Sequence, residues 1–355
     1  MTFDEARSLF PVLERLAYLN AGTFGPLSRS TMAAVRAELS RDLESGRSGK
    51  AYWERAIEMR ATLCRVLAAL VGVEAEQVAL TSSTTDGCNI VLAGLDLRPD
   101  DEVVTTTDEH FGLLGPLHAS SARVVAVEPE PEAVLAAVTP RTRLLAVSHV
   151  LWTTGQILPV HELRRSAGVP ILVDGAQSVG AIPVDASGLD FYTVSGQKWL
   201  CGPDGTGALV ITDPDRLRVA RPSSFAQLRY NPDGAYEPRP GAERFQPNWI
   251  AVSSIAGLAT AVQELPEWRY ERASAQAERL RALLSGRVEV LVPEERATLV
   301  SFRPAGDEDA AAVVERLAHV NVIVRDLPGR ELVRASVGWW TSDDDLDRLV
   351  AGSTR

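Results

Sequence analysis

The chain has 355 residues, enough for two packed units and not just one small core. Hydrophobic residues make up 45% and charged residues 23%, and a formal net charge of −11 argues against nucleic acid or an anionic membrane as partner, since each wants a basic face. No apolar run approaches the roughly 20 residues of a spanning helix, and MTFDEARSLF lacks the apolar stretch of a signal peptide, so the expectation is a cytoplasmic protein.

A short N-terminal helix and the turn-like NAGTFGPLS (20–28) precede two helical stretches, about 31–45 and 53–71, the second ending at Gly72. Strand-like runs then alternate with helical ones: QVALTSS (77–83), EVVTTTDE (102–109), ARVVAVEP (122–129), LLAVSHV (144–150), PILVDGA (170–176), DFYTVSG (190–196) and GALVITD (207–213). Runs apolar on both faces and separated by helices imply an α/β fold, with a mainly parallel seven-stranded sheet between helices. The stretch 214–248 is rich in Pro, Arg and Tyr without periodicity, and reads as an active-site wall and connection between units. From 252 a long helical region returns. VEVLV (288–292), TLVSFRP (298–304), a helix near 308–319, NVIVRD (321–326) and LVRASVGW (332–339) then make a smaller α+β unit. The expected division is a large domain over 15–250, with 1–14 and 251–355 forming the small one.

Of 36 basic residues only Lys50 and Lys198 are lysine. A lysine kept where arginine otherwise supplies every positive charge suggests a task that needs a neutral amine, because a guanidinium never loses its proton. Lys50 ends the polar LESGRSGK and reads as exposed connection. Lys198 follows a strand in VSGQKWLCGPDGTG (194–207). Cys64, Cys88 and Cys201 are odd in number and widely spaced, which fits reduced thiols and neither a disulfide frame nor a metal set.

Ligands of doubly wound sheets bind beyond the carboxyl ends of the strands. Four junctions here carry reactive or phosphate-loving residues. In TSSTTDGCN (81–89), the N–H groups of Thr84 and Thr85, the Thr85 hydroxyl and the helix dipole would hold a phosphate, although an ordinary helix cap has the same composition. In ILVDGAQSVG (171–180), Asp174 ends an apolar strand, as a turn residue or as the partner of a cation such as a protonated pyridine. The third junction is that of Ser195 and Lys198. The fourth, TTTDEHFG (105–112), places His110 after a strand.

Their order resembles the class V aminotransferase family of fold-type I pyridoxal 5′-phosphate (PLP) enzymes, from YLNAGTFGPLS to SVGWWTSDDDLDRLV. TTDGCNIVLAGL (84–95), SHVLWTTGQILPV (148–160) and VDGAQSVGAIPVD (173–185) are most similar to its cysteine and cystine carbon–sulfur lyases; cysteine desulfurases and isopenicillin-N-epimerase-like proteins are other members. The resemblance implies a Schiff base between PLP and Lys198, which later moves the Cα proton. It implies Asp174 on the pyridine nitrogen, Gln177 on the ring oxygen and His110 stacked on the ring. Thr84, Thr85 and Ser195 would hold the phosphate, with Gln197 donating to it where many relatives have histidine. Arg334 would bind the substrate carboxylate, and Trp152 stands where desulfurases usually carry asparagine. The Gly-Thr that reaches a neighbouring subunit's phosphate is missing from ERFQPNWIAVSS (243–254), leaving Gln246 or Asn248 as substitutes. A homodimer is implied.

A persulfide-forming desulfurase needs a mobile cysteine before the carboxylate-binding arginine, and VNVIVRDLPGRELVR has none. The favoured expectation is a carbon–sulfur β-lyase on cysteine, cystine or a cysteine conjugate, with an aminotransferase or an amino-acid epimerase as the alternatives. A PLP-binding protein without turnover is disfavoured by the intact lysine, aspartate and arginine. A nicotinamide dehydrogenase is disfavoured because no G-x-G-x-x-G follows the first strand.

Overall fold

The computed structural model describes residues 1–353. The chain opens with α1 (Phe3–Ser8) and β1 (Ala17–Tyr18), then two long helices, α2 (Arg29–Ser45) and α3 (Gly49–Val71). Ser28 caps α2, Thr31 N donating to its Oγ at 3.0 Å, and Gly72 closes α3 in the left-handed region at φ 73°.

Next come β2 (Val78–Thr81), α4 (Thr84–Gly94), β3 (Glu102–Thr106), α5 (Phe111–Ala119), β4 (Arg123–Val127), α6 (Pro131–Ala136), β5 (Thr142–Ser148), α7 (Val160–Ala167), β6 (Ile171–Asp174), β7 (Phe191–Ser195) and β8 (Gly207–Ile211). All seven runs expected as strands join one sheet, in the order β2-β8-β7-β6-β5-β3-β4. Only β8 is antiparallel to its neighbours. Consecutive residues point to opposite faces, and Val103, Val104, Leu144 and Leu145 are all fully buried, so both faces are covered. Leu63 and Leu67 of α3 and Leu163 of α7 pack on one face. Val91 of α4 and Leu113 and Leu117 of α5 pack on the other.

Between 214 and 248 the backbone makes only two short 3₁₀ turns, Pro214–Arg216 and Gly241–Phe245. The rest comprises α8 (Val252–Gln263), α9 (Arg269–Leu284), β9 (Leu299–Phe302), α10 (Ala310–His319), β10 (Val322–Ile323), β11 (Arg325–Leu327), β12 (Leu332–Ser336) and α11 (Asp343–Ser353). A three-stranded antiparallel sheet, β11-β12-β9, carries a second core built from Leu280, Val313, Leu317, Val333 and Leu346. Ala17 and Leu19 enter this core, and β1 pairs in parallel with β10. The N-terminal stretch therefore contributes to the C-terminal unit beyond residue 14.

Two expectations need correction. VEVLV is not a strand: it skirts the sheet edge and forms a single bridge, Val290 to Phe302, while Val292 is exposed. NVIVRD is two strands, because the chain changes partner after Ile323, from β1 to β12.

Candidate active site

With β8 reversed, the carboxyl ends of β2, β3, β5, β6 and β7 share one edge of the sheet. Thr84 and Thr85, His110, Trp152, Asp174, and Ser195 with Gln197 and Lys198 all lie at or just after those ends. The sheet thus brings residues spread over more than a hundred positions to one cleft.

At one end of the cleft, Ser83 caps α4 by accepting from Asp86 N at 3.1 Å. Thr84 and Thr85 are the helix's first two residues, so their N–H groups have no partner within the helix. Gly207 lies opposite Thr81 on one side and Ser195 on the other, which sets Ser195 beside this helix start. Ser195 Oγ donates to Gln197 Oε1 at 3.0 Å. Two hydroxyl-bearing turns and a helix N-terminus suit a phosphate.

In the centre, Asp174 is buried, and its Oδ1 accepts from Ala176 N at 2.9 Å and Thr193 Oγ1 at 3.3 Å. Among the described residues nothing donates to Oδ2. The chain turns directly after it at Gly175, where a Cβ would lie 2.2 Å from Thr193 O and 2.4 Å from the Tyr192 ring, so only glycine fits. Burial pushes the Asp174 carboxyl up, and the Lys198 charge opposes that. Burial brings Lys198 down to about 8; Asp174 raises it, while Arg334 and Arg325 push it further down. A neutral amine is therefore accessible near neutrality. His110 caps α5, its Nδ1 accepting from Gly112 N at 3.0 Å, which leaves the proton on Nε2. Burial and the charges of Lys198, Arg325 and Arg334 lower it to about 4, so the imidazole is neutral. Its ring meets Trp152 edge-on at 5.1 Å.

The opposite end is cationic. Arg334, on β12, is fully buried; its Nη1 donates to Trp152 O at 2.7 Å, while Nε and Nη2 have no partner. Ser336 Oγ is likewise unpartnered. A Cβ on Gly22 would stand 2.8 Å from both Arg334 Nη2 and Ser336 Oγ and 3.0 Å from Gln177 Oε1, so the N-terminal loop closes this end. Burial lowers Arg334 to about 9, and Arg325 adds to the shift. Arg325 is the Cα partner of Arg334 on β11 and donates to Thr23 Oγ1 at 3.3 Å. Neither arginine has an ion-pair partner among the described residues. The buried, unpartnered donors of Arg334 call for an anion.

Gln177 is more tightly engaged than expected: Nε2 donates to Gly22 O, and Trp199 Nε1 donates to Oε1, both at 2.9 Å. Gln246 is held by Arg60, which donates to its Oε1, and is buried; Asn248 is exposed and accepts from Ser224 Oγ. Trp339 and Trp340 pack with Phe10 and Trp268. Ser342 caps α11, accepting from Asp345 N at 3.2 Å.

Sequence reasoning missed two residues here. Arg325 is one arginine among many, and nothing in the chain marks it until the hairpin register is known. Glu109, beside His110, is buried, and Thr106 Oγ1 and Ser148 N donate to it at 2.8 and 3.0 Å. An acid just past a strand, beside His110, was the available signal.

The profile of the family described as Aminotransferase class-V matches residues 19–349. The isopenicillin N epimerase of Streptomyces clavuligerus is 29% identical, over 98% of this chain and 96% of that protein. The cysteine desulfurase of Serratia proteamaculans is 28% identical, over 99% and 97%. Two structures of C-DES superpose with TM-score 0.91 at 28% identity. One is a mutant with glycine covalently linked to the PLP cofactor, covering 97% of this chain and 98% of that one. The other is the cystine C–S lyase with its reaction product cysteine persulfide, covering 96% and 98%.

Proposed function

Because the chain belongs to the class-V aminotransferase family, we propose that it is a PLP enzyme that cleaves a β-carbon–sulfur bond in an amino acid bearing a second carboxylate, of which cystine is the type. The observation that carries this reading is the pair of guanidiniums, Arg334 and Arg325, side by side on one hairpin without a carboxylate partner and both acting on Lys198. One would take the α-carboxylate through Nε and Nη2, a bidentate geometry suited to arginine. The other would take the distal carboxylate.

The central residues fit the cofactor. Lys198 offers a desolvated amine, Asp174 a buried carboxylate with a free oxygen for a ring N–H, and the start of α4 a phosphate cradle. Bound there, PLP supplies an electron sink for negative charge at Cα. Asp174 would hold a proton on the ring nitrogen, and His110, neutral, would add no charge to the site. Lys198 takes the Cα proton. The Cβ–S bond would then break with the sulfur leaving as a thiolate, cysteine persulfide in the case of cystine, and water would hydrolyse the released three-carbon enamine to pyruvate and ammonia.

A persulfide-forming desulfurase is disfavoured by the cysteines. All three are buried, none lies in the hairpin before Arg334, and burial pushes the Cys201 thiol up. A homodimer is supported by a half-exposed aromatic cluster, Trp53 with Trp249 and Phe225 at ring distances of 5.6 and 6.5 Å.

The test is to incubate the holoenzyme with L-cystine and no keto acid. Sustained release of equal pyruvate and ammonia supports the lyase. A reaction that stops after one turnover until a keto acid is added would make it an aminotransferase, and accumulating D-isomer an epimerase.

A further inference from the structure

One ion pair joins the two units at the rim of the cleft, outside every contact described above. Arg330 sits in the turn of the β11–β12 hairpin, whose backbone takes positive φ at Gly329 (71°) and Glu331 (52°). Its Nη2 lies 2.9 Å from Asp108 Oδ1 and donates to Thr107 O at 3.4 Å. Asp108 is only 5% exposed, and Thr153 Oγ1 donates to its Oδ2. Ser301 Oγ of β9 in turn donates to Thr153 O. Leu327 and Leu332, the residues closing the hairpin, pack on Trp152.

The two candidate substrate arginines stand on the arms of this same hairpin, and Asp108 is two residues before His110. We infer that Arg330 and Asp108 form a positioning latch, which fixes the hairpin against the β3–α5 junction and so sets where Arg325 and Arg334 present their guanidiniums to the substrate. The leverage comes from geometry. Leu327 and Leu332 on Trp152 and Arg330 on Asp108 hold the turn end of the hairpin, while Arg334 Nη1 donating to Trp152 O ties its strand, so the hairpin is held at both places. Arg330 is 45% exposed on its side chain while Asp108 is buried, so stability is followed alongside to separate an effect on substrate from unfolding. The inference rests on the reading that Arg334 takes a carboxylate.

The test uses holoenzyme and two small amines followed by the cofactor's absorbance. Glycine carries a carboxylate; methylamine does not. In Arg330→Ala and in Asp108→Asn, the glycine Kd rises about tenfold and the methylamine Kd stays within about twofold. The double variant is no worse than either single one, since both remove one interaction. Arg330→Lys recovers most of the loss, and Tm moves by no more than about 2 °C. Glycine and methylamine weakening together would show a structural role and overturn the latch, as would no change in either. Arg334→Ala is run alongside. If it weakens glycine while Arg330→Ala does not, the latch alone fails. If Arg334→Ala leaves glycine unchanged, the carboxylate reading fails and takes the latch with it.

Discussion

Trp199 Nε1 donates to Gln177 Oε1 at 2.9 Å, from the position directly after Lys198. An indole N–H can only donate, so it dictates which end of the Gln177 amide is oxygen. The nitrogen is thereby turned to Gly22 O at 2.9 Å, with its second hydrogen left for the cleft. Trp199→Phe keeps the packing of a fully buried ring and removes that instruction. The expected outcome is PLP affinity weakened by about three- to tenfold, one lost hydrogen bond, with a shifted visible absorbance. A variant with lower Tm but unaltered spectrum and affinity would show that Trp199 only packs.

Lys198 falls to about 8 chiefly through burial, with both arginines contributing and Asp174 opposing. Only the neutral amine can capture an aldehyde. The rate at which apoprotein takes up PLP is therefore predicted to rise with pH, with a midpoint near 8, and to be about 100-fold below its plateau two pH units lower. Stopped-flow absorbance reads this directly. Lys198→Arg, which never loses its proton, should give no borohydride-stable label on the 194–207 peptide.

Glu109 is raised to about 7 from its ordinary 4.5, mainly by burial, against the donors Ser148 and Thr106. Between those values the folded chain holds a proton that the unfolded chain has lost. The stabilisation is full below 4.5 and disappears as pH rises through 7. Glu109→Gln stays neutral, so its Tm should lose that downward slope between pH 5 and 7. Parallel wild-type and variant curves would contradict the assignment.

The sheet was legible because its strands are apolar on both faces, and that pattern needs no tertiary information. Lys198 stood out for a compositional reason, one of two lysines in an arginine-rich chain and the one that follows a strand, and Asp174 because it ends an apolar strand before Gly175. The cationic end was not. Arg334 was found only by resemblance, and Arg325 not at all, since what distinguishes it is a missing carboxylate and a cross-strand register. VEVLV misled for the converse reason: its alternation is that of a strand, but it makes a single bridge, Val290 to Phe302, flanked by one hydrogen bond on each side. Gln177 was singled out by resemblance alone, and its bond to Gly22 depends on a loop 155 residues away.

The most direct test of the central claim compares pyruvate release from L-cystine and from S-methyl-L-cysteine, in the wild type and in Arg325→Ala. Both substrates offer an α-carboxylate and a β-sulfur; only cystine has a second carboxylate. Loss of a charge-assisted contact predicts a fall in kcat/KM for cystine of about 10- to 100-fold, with S-methylcysteine changed by no more than about twofold. Equal losses on the two substrates, or a wild type that releases no pyruvate from cystine, would contradict the account.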